Sequence, residues 1–351
     1  MSKNGLVVVH GSYFMNNFGD TLLIKLLCEK IAQYVGKENV RLACSGNKEE
    51  QSSIGYSVIK DSEISEVTNV FYSGGGYFGE PNVGFIRRWR WAFRNYNRHF
   101  AWSKPFKNAK FHIIGVGIGP IKNRFYRSSV RNFLRKCDDV LVRDIESKSY
   151  CSEYFPEITN IDLCVDLALG TKNLNFNKSK ISIHLDTSDS EIISDVLAFL
   201  KSRKGSEKLS LIFDNNVSFN ERTIGKYKTV LANLGYEDMD YEFVQYKDFD
   251  ELIAHLSSSE LVITSKLHVG IITISQLGKV IAIPNHSKTK RLYSQLSISD
   301  YCIEKNDFNI DKLEEAYNKL NQFNPNYNLR DEGISLIDNR IKSIFTEKKY
   351  K

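Results

Sequence analysis

The stretch LVITSKLHVGIITISQLGKVIAIP, Leu261 to Pro284, reads as strand, polar corner, apolar helix and strand with almost no residues spare. Leu261 to Thr264 is a short apolar, β-branched run. Val269 to Leu277 is too long an apolar stretch for a tight connection, and Gly278 closes it before the second run, Val280 to Ile283. That pattern is a βαβ unit with buried strands. Its corner, Ser265, Lys266, Leu267 and His268, falls at the carboxyl edge of the sheet, where open α/β domains bind ligands. A helix N-terminus offers free N–H groups and partial positive charge, so Lys266 and the His268 imidazole make this corner an anion seat. The alternative is a solvated Lys266 and a His268 that only caps the helix.

The same alternation extends toward the N-terminus. Leu6 to Val9 is a buried strand, His10 to Gly19 a polar loop, and Asp20 an N-cap for a helix from Leu22 to Tyr34. Val40 to Cys44 is the next strand, and a helical segment near Asp61 to Glu66 leads into the strand Asn69 to Ser73. Three glycines follow it, Gly74, Gly75 and Gly76, which implies positive φ or a close approach to the backbone. Phe111 to Val116 is a strand followed by Gly117, Gly119 and Pro120, then a basic helix near Ser128 to Lys136. Val140 to Arg143 is a strand, and Ser147 to Phe155 a helix. Gly115, Gly117 and Gly119 lack the third-glycine spacing of a dinucleotide fingerprint, and Pro120 spoils the helix start.

At Gly170 the pattern breaks into the polar run GTKNLNFNKSK, which reads as a linker. Strands at Ile181 to Leu185, Leu209 to Phe213 and Tyr241 to Tyr246 then alternate with helices at Ser190 to Lys201, Asn220 to Leu234 and Asp250 to Leu256. Beyond the Leu261 to Pro284 unit come a helix at Lys288 to Leu296, an edge strand at Tyr301 to Ile303 and a helix at Ile310 to Phe323. The predicted architecture is α/β, two Rossmann-like domains with a cleft between them: residues 1–172, residues 178–324, and a terminal helix, 333–351, packing back on the first.

Length and composition agree. A chain of 351 residues suits about two domains, and 42% hydrophobic with 26% charged residues is the balance of a soluble globular protein. No run approaches the ~18 apolar residues of a membrane span, and the apolar run in MSKNGLVVVHGS is too short for a signal peptide. Cys28, Cys44, Cys137, Cys151, Cys164 and Cys302 show no C-x-x-C spacing and read as free thiols of a reducing cytoplasm, with no metal site indicated.

The charge is uneven. From Pro81 to Cys137 there is no Asp or Glu but fourteen Lys and Arg, so the rest of a chain of net charge +6 is acidic on balance. The segment GFIRRWRWAFRNYNRHFAWSKPF interleaves arginine with every tryptophan of the protein, Trp89, Trp91 and Trp102. Arg87, Arg88, Trp89, Arg90, Trp91 and Arg94 suit an anionic membrane interface, with indoles at headgroup level. Nucleic acid would also attract such a surface. An ordinary amphipathic helix with core aromatics and solvated arginines explains the pattern equally well.

Seven motifs occur in order. They are Asn17-Phe18-Gly19-Asp20, Gly74-Gly75-Gly76, Gly117-Ile118-Gly119-Pro120, Val142-Arg143-Asp144 with Ser147, and Asp162 to Leu169 with its Val165-Asp166-Leu167-Ala168. Ser265-Lys266-Leu267-His268 follows, and then Lys288 after Ile283-Pro284. Together, across about residues 10–303, they resemble the polysaccharide pyruvyl transferases. The resemblance implies a two-domain GT-B-like fold and transfer of a pyruvyl group from phosphoenolpyruvate to sugar hydroxyls, giving a cyclic ketal on a bacterial surface glycan such as a capsule or exopolysaccharide. The family usually has Arg where this chain has Lys266, and Lys lacks the bidentate fork that Arg gives a carboxylate or phosphate.

Phosphoenolpyruvate is strongly anionic. Arg143, Lys266, Lys288 and the helix start at Leu267 and His268 are the expected donor-binding groups, with Gly19, Gly74, Gly75, Gly76, Gly117 and Gly119 lining the cleft. His268 is the expected acid, kept protonated by a neighbouring phosphate, and Asp20 orients the acceptor hydroxyl. No cofactor or metal is expected. The expected partners are phosphoenolpyruvate, a lipid-linked oligosaccharide acceptor and an anionic membrane surface, but not nucleic acid. The expected location is cytoplasmic, peripheral at the inner face of the cytoplasmic membrane. A GT-B glycosyltransferase with a nucleotide-sugar donor is the alternative reading. A non-catalytic membrane or nucleic-acid adaptor would leave the glycine corners and the Ser265 to His268 corner unexplained.

Overall fold

The computed structural model describes residues 5–12, 18–43, 54–203, 208–213, 220–245, 248–285 and 287–346. The run LVVVH forms β1 (Leu6–His10), and all five of its side chains are buried. A strand covered on both faces belongs inside a parallel sheet with helices on each side. The chain divides into two compact units, and the first, Met1–Leu167 with Leu329–Lys351, is built around such a sheet. After β1 it contains α1 (Phe18–Val35), β2 (Val40–Leu42), β3 (Ser57–Val58), β4 (Val67–Tyr72), β5 (Gly75–Phe78), α2 (Phe85–Asn95), β6 (Lys110–Ile118), α3 (Arg124–Leu134), β7 (Cys137–Val142), α4 (Ile145–Tyr154) and β8 (Ile161–Leu163). Strand order is β3-β2-β1-β4-β6-β7-β8, with β5 paired to the end of β6. Every pairing is parallel.

Three of these strands, β3, β5 and β8, do not stand out in the sequence. The triple glycine was expected to bring positive φ or a close approach to the backbone, and in the structure Gly75 and Gly76 open β5. Gly75 has φ 125°, a conformation closed to most side chains, which lets the chain leave β4 and pair again opposite Val116 and Ile118. Likewise β6 runs on through Gly117 to Ile118, past the expected end at Val116. β8 is short and half-buried, so it carries no apolar signal.

The second unit, Ala168–Asn328, repeats the plan with five parallel strands. Its elements are β9 (Lys180–His184), α5 (Ser190–Arg203), β10 (Lys208–Phe213), α6 (Glu221–Asn233), β11 (Tyr241–Gln245), α7 (Phe249–Ser257), β12 (Ser259–Thr264), α8 (Leu267–Ser275), β13 (Lys279–Ala282), α9 (Ser287–Gln295) and α10 (Ile310–Asn318). Strand order is β11-β10-β9-β12-β13. The GTKNLNFNKSK segment, expected to be a linker, is fastened to this unit. The buried amide of Gln276 donates to the Lys172 carbonyl (2.9 Å) and accepts from the Leu174 N–H (3.0 Å), while Lys178 Nζ donates to the carbonyls of Ser257 and Gln276. The expected edge strand at Tyr301 to Ile303 reduces to a single bridge, Ala282 to Cys302, beside a short 3₁₀ turn.

The last helix, α11 (Tyr327–Thr346), belongs to the first unit from Leu329 onward. Ile337 and Ile341 are buried, and Gly333 sits so close to Val165 that a β-carbon there would lie 2.5 Å from Val165 Cγ1. Ion pairs reinforce it. Lys30 reaches Asp338 (2.6 Å), while Arg340 donates to Asp139 (2.6 Å) and Asp162 (2.9 Å). Asp139 also accepts from His112 Nδ1 at 2.7 Å. Burial raises the Asp139 carboxyl, but the bonds from His112 and Arg340 outweigh it and hold the group below its ordinary value. A carboxyl lowered on folding stabilises the folded state above its unfolded pKa, about 4, and loses that contribution as pH falls through the folded value. We therefore expect faster amide exchange in α11 at pH 3 than at pH 6, after correction for intrinsic rates, with Asp139→Asn removing most of the difference. Equal protection at both pH values would separate Asp139 from the tether.

Candidate active site

In the second unit the chain enters the sheet at β9, builds outward to β11, then crosses back to β12. The strand order therefore reverses between β9 and β12. The crevice outside the carboxyl ends of such a pair is where open α/β sheets take ligands. The Ser265 N–H donates to the His184 carbonyl at 2.9 Å, so the Ser265 to His268 corner lies directly beside the end of β9. α8 begins at Leu267, two residues before the expected start, which puts Leu267 and His268 in its first turn with Lys266 at the N-cap. The Lys266 side chain makes no cap bond, and its N–H is turned in by a bond to Thr264 Oγ1 (3.0 Å). Lys266 is exposed, and Ser265, Leu267 and His268 are half-buried. Lys288 is exposed at the start of α9.

Sequence reasoning missed two polar groups here. Asp186 follows β9, takes a hydrogen bond from Asn285 Nδ2 (3.0 Å) and is bonded by Ser188. Burial raises its carboxyl, yet the Ser188 bonds and the charges of Lys266 and Lys305 bring it below its ordinary value. Asp186 thus lies within the field of Lys266. The signal available was its place one residue beyond an apolar strand, readable only once β9 is known to neighbour β12.

The first unit has an equivalent reversal between β1 and β4, where the Ser73 N–H donates to the His10 carbonyl at 2.8 Å. Asp20, expected to cap the following helix, is instead inside it. α1 starts at Phe18, so Gly19 and Asp20 occupy its first turn, where a carboxylate is favoured by the helix dipole. Asn17 lies outside the described residues. A β-carbon on Gly75 would lie 3.2 Å from Asp20 Oδ1, and one on Gly117 3.2 Å from Arg143 Nε. What approaches these glycines is the unit's own polar side chains. Gly74 packs against Leu23 and the Gly115 carbonyl, and Gly119 takes φ 75° against the Tyr150 ring. Gly76 is half-buried in β5.

Arg143, expected on the donor, is buried at the end of β7 and engaged within its own unit. Nη1 donates to Asp166 Oδ2 at 2.8 Å, and Nε lies 3.6 Å from Asp144 Oδ2. Burial lowers the guanidinium, but Asp166, Asp144 and Asp20 override it and hold the pKa above its ordinary value. Asp144 and Asp166 were visible in the motifs as residues without a role. Asp144 also caps α4, accepting from the Ser147 N–H (2.7 Å), while Ser147 Oγ takes the Ile118 N–H (2.8 Å).

The basic aromatic segment divides in two. Arg88 pairs with Glu80, and Trp91 packs edge-on against Tyr126 at 4.7 Å, so these two, expected at the surface, face inward. Beyond α2 a π-helical turn, Tyr96–Ala101, buries His99 and Phe100. Trp102 stacks on His10 (4.6 Å), whose Nε2 meets His99 Nδ1 at 2.9 Å. Burial, with a further push from Arg98, lowers His10 to about 3, so this pair is a neutral brace. Phe85, Ile86, Trp89 and Phe93 remain exposed, with Arg87, Arg90 and Arg94 beside them.

The model of the polysaccharide pyruvyl transferase family matches residues 17–287, more than half of the chain. The chain belongs to this family. A comparison with curated proteins finds no match. Among solved structures, the chain is similar to a glycosyltransferase from Rickettsia africae ESF-5, with 12% identity, TM-score 0.55, and 98% of this chain and 100% of that one covered. It is also similar to the UDP-GlcNAc 2-epimerase of Neisseria meningitidis bound to UDP-GlcNAc, with 8% identity, TM-score 0.58 and 97% of each chain covered. A third is the UDP-N-acetylglucosamine 2-epimerase of Rickettsia bellii, with 10% identity, TM-score 0.58, and 97% of this chain and 96% of that one covered. At such identities the likeness is one of fold, and the fold of this pyruvyl transferase family member is two Rossmann-like units of GT-B type. Among the described residues no helix is long and apolar enough to cross a membrane, and no group of His, Cys, Asp or Glu is arranged to hold a metal ion.

Proposed function

We propose that the protein transfers a pyruvyl group from phosphoenolpyruvate to two hydroxyls of a sugar on a lipid-linked or polymeric surface glycan, forming a cyclic ketal. The observation that carries this reading is the Lys266 to His268 corner at the strand reversal of the second unit, in a chain of this family. The first-turn amides of α8, Lys266 and Lys288 supply donors and positive charge for an anionic donor. Arg143 is left out of the donor set because its guanidinium is engaged by Asp166 and Asp144. In the reaction a sugar hydroxyl adds to C2 of phosphoenolpyruvate while His268 delivers a proton to C3, and the proton which that hydroxyl gives up restores the imidazolium. The C2–O bond to phosphate then breaks, a second hydroxyl adds to C2, and its proton leaves with phosphate. Each turnover releases one phosphate and makes two C–O bonds. A lipid-linked acceptor places the work at the inner face of the cytoplasmic membrane.

The test is phosphate release from phosphoenolpyruvate, and a mass gain on the acceptor, across a panel of lipid-linked sugars. Cleavage of a nucleotide-sugar with no phosphate release would favour a GT-B glycosyltransferase instead. Within the assay Lys266 is informative. Lys266→Ala removes a charge partner and should raise KM for phosphoenolpyruvate about tenfold, whereas Lys266→Arg, able to grip a carboxylate or phosphate with two N–H groups, should hold or lower it. An unchanged KM in Lys266→Ala would put the donor elsewhere.

A further inference from the structure

We infer that the exposed face of α2 enters the headgroup layer of an anionic bilayer. At 100° per residue the helix presents three sectors. Arg88, Trp91, Ala92 and Asn95 face the body of the first unit, with Ala92 and Asn95 buried and Arg88 held by Glu80. Phe85, Ile86, Trp89 and Phe93 form the second sector, exposed by 70%, 68%, 44% and 62%. Phe125 extends it from α3, its ring stacked 6.1 Å from Trp89. Arg87, Arg90 and Arg94 form the third, exposed and without an ion-pair partner among the described residues. Three arginines further along the chain differ. Arg131 and Arg135 pair with Glu157, and Arg127 lies over the Tyr154 ring.

Water gives no reason to hold two Phe, an Ile and a Trp together on one turn-to-turn stripe, and a stripe of this kind marks an interaction surface. Its neighbours decide the partner. With no acid from Pro81 to Cys137, the complementary surface is an anion. The apolar sector has depth as well as rings. Ile86 and the Phe edges suit an acyl boundary, whereas nucleic acid would call for stacking faces alone. A helix of eleven residues, about 16 Å long, lying flat would sink that sector while the adjoining arginines meet phosphates. The inference stands on this surface and not on the pyruvyl chemistry.

The test is sedimentation of the full chain with phosphatidylcholine vesicles, with and without phosphatidylglycerol, followed also by the tryptophan emission shift. Binding is expected only to the phosphatidylglycerol vesicles, and should weaken as salt shortens the Debye length. Arg87→Gln, Arg90→Gln and Arg94→Gln together should lower apparent vesicle affinity about 100-fold. Ile86→Ser with Phe93→Ser should also release the protein, and both variants should melt as the wild type does. The inference is overturned if the wild type stays in solution, if the arginine variant binds unchanged, or if the serine variant keeps full binding, since the face then does not insert. Tight binding to an oligonucleotide or an acidic protein, with none to vesicles, overturns it equally.

Discussion

On the proposed mechanism, replacing His268 with alanine lowers turnover at least ~100-fold while the protein still folds, because the imidazole is the group assigned to protonate C3. His268 is in the first turn of α8 and half-buried, and the helix is anchored by other residues: Val269 and the run Gly270 to Ser275 are all buried. Truncating it therefore costs little packing. The loss should fall on kcat more than on KM, since a proton transfer is made only in the transition state, whereas Lys266→Ala should act mainly on KM. Phosphate release from phosphoenolpyruvate at saturating donor reads the first, and a melting curve reads the fold. Near wild-type turnover in His268→Ala would remove the imidazole from the mechanism. Equal losses in kcat/KM through KM alone would reduce it to a phosphate grip.

How much of this could be read from the residues depends on how far apart the deciding groups lie. The βαβ unit from Leu261 was legible because each apolar run is bounded by its own local punctuation, and the structure forms β12, α8 and β13 there. The placement of its corner at a strand reversal was not, because strand order is set by which βαβ crossover goes to which side, and periodicity carries no record of that. Asp186 and Asn285 were missed for the same reason. Asp20 was read as a cap because a helix looks as if it begins at its first apolar repeat. Phe18 and Gly19 begin α1 earlier, and the carboxylate ends in the first turn. Gly75 was rightly suspected of an unusual φ, but the close neighbour is Asp20 Oδ1. In the basic segment the core reading holds for some aromatics and not for others. Trp91, Trp102, His99 and Phe100 pack inward, and Phe85, Ile86, Trp89 and Phe93 do not. A wheel alone gives no direction for the body, so the division needed the tertiary contacts of Tyr126, Glu80 and His10.

Arg143 shows the same limit and yields the largest stability effect expected of any single change here. Its partner Asp166 lies 23 residues on, past α4 and β8, so the sequence offers a cation at a strand end and nothing to say that it is satisfied. In the folded unit the Arg143 and Asp166 side chains are 8% and 3% exposed, and Asp144 is 16% exposed. Removing the cation strands carboxylates that water barely reaches, and breaking a buried pair in this way typically costs about 3–5 kcal/mol. Arg143→Met keeps the length and apolar stem and should lower the melting temperature by roughly 10 °C, given the entropy of unfolding for a unit of this size. Arg143→Lys should fall between, since one ammonium cannot span both carboxylates as the fork does. Adding Asp166→Asn to Arg143→Met should recover part of the loss by removing the nearest unpaired charge, whereas two unrelated destabilising changes would add. Melting curves on the three variants decide between this reading and a donor-binding arginine. If Arg143→Met melts with the wild type and only raises KM for phosphoenolpyruvate, the guanidinium serves the substrate, and the Asp166 bond is incidental to stability.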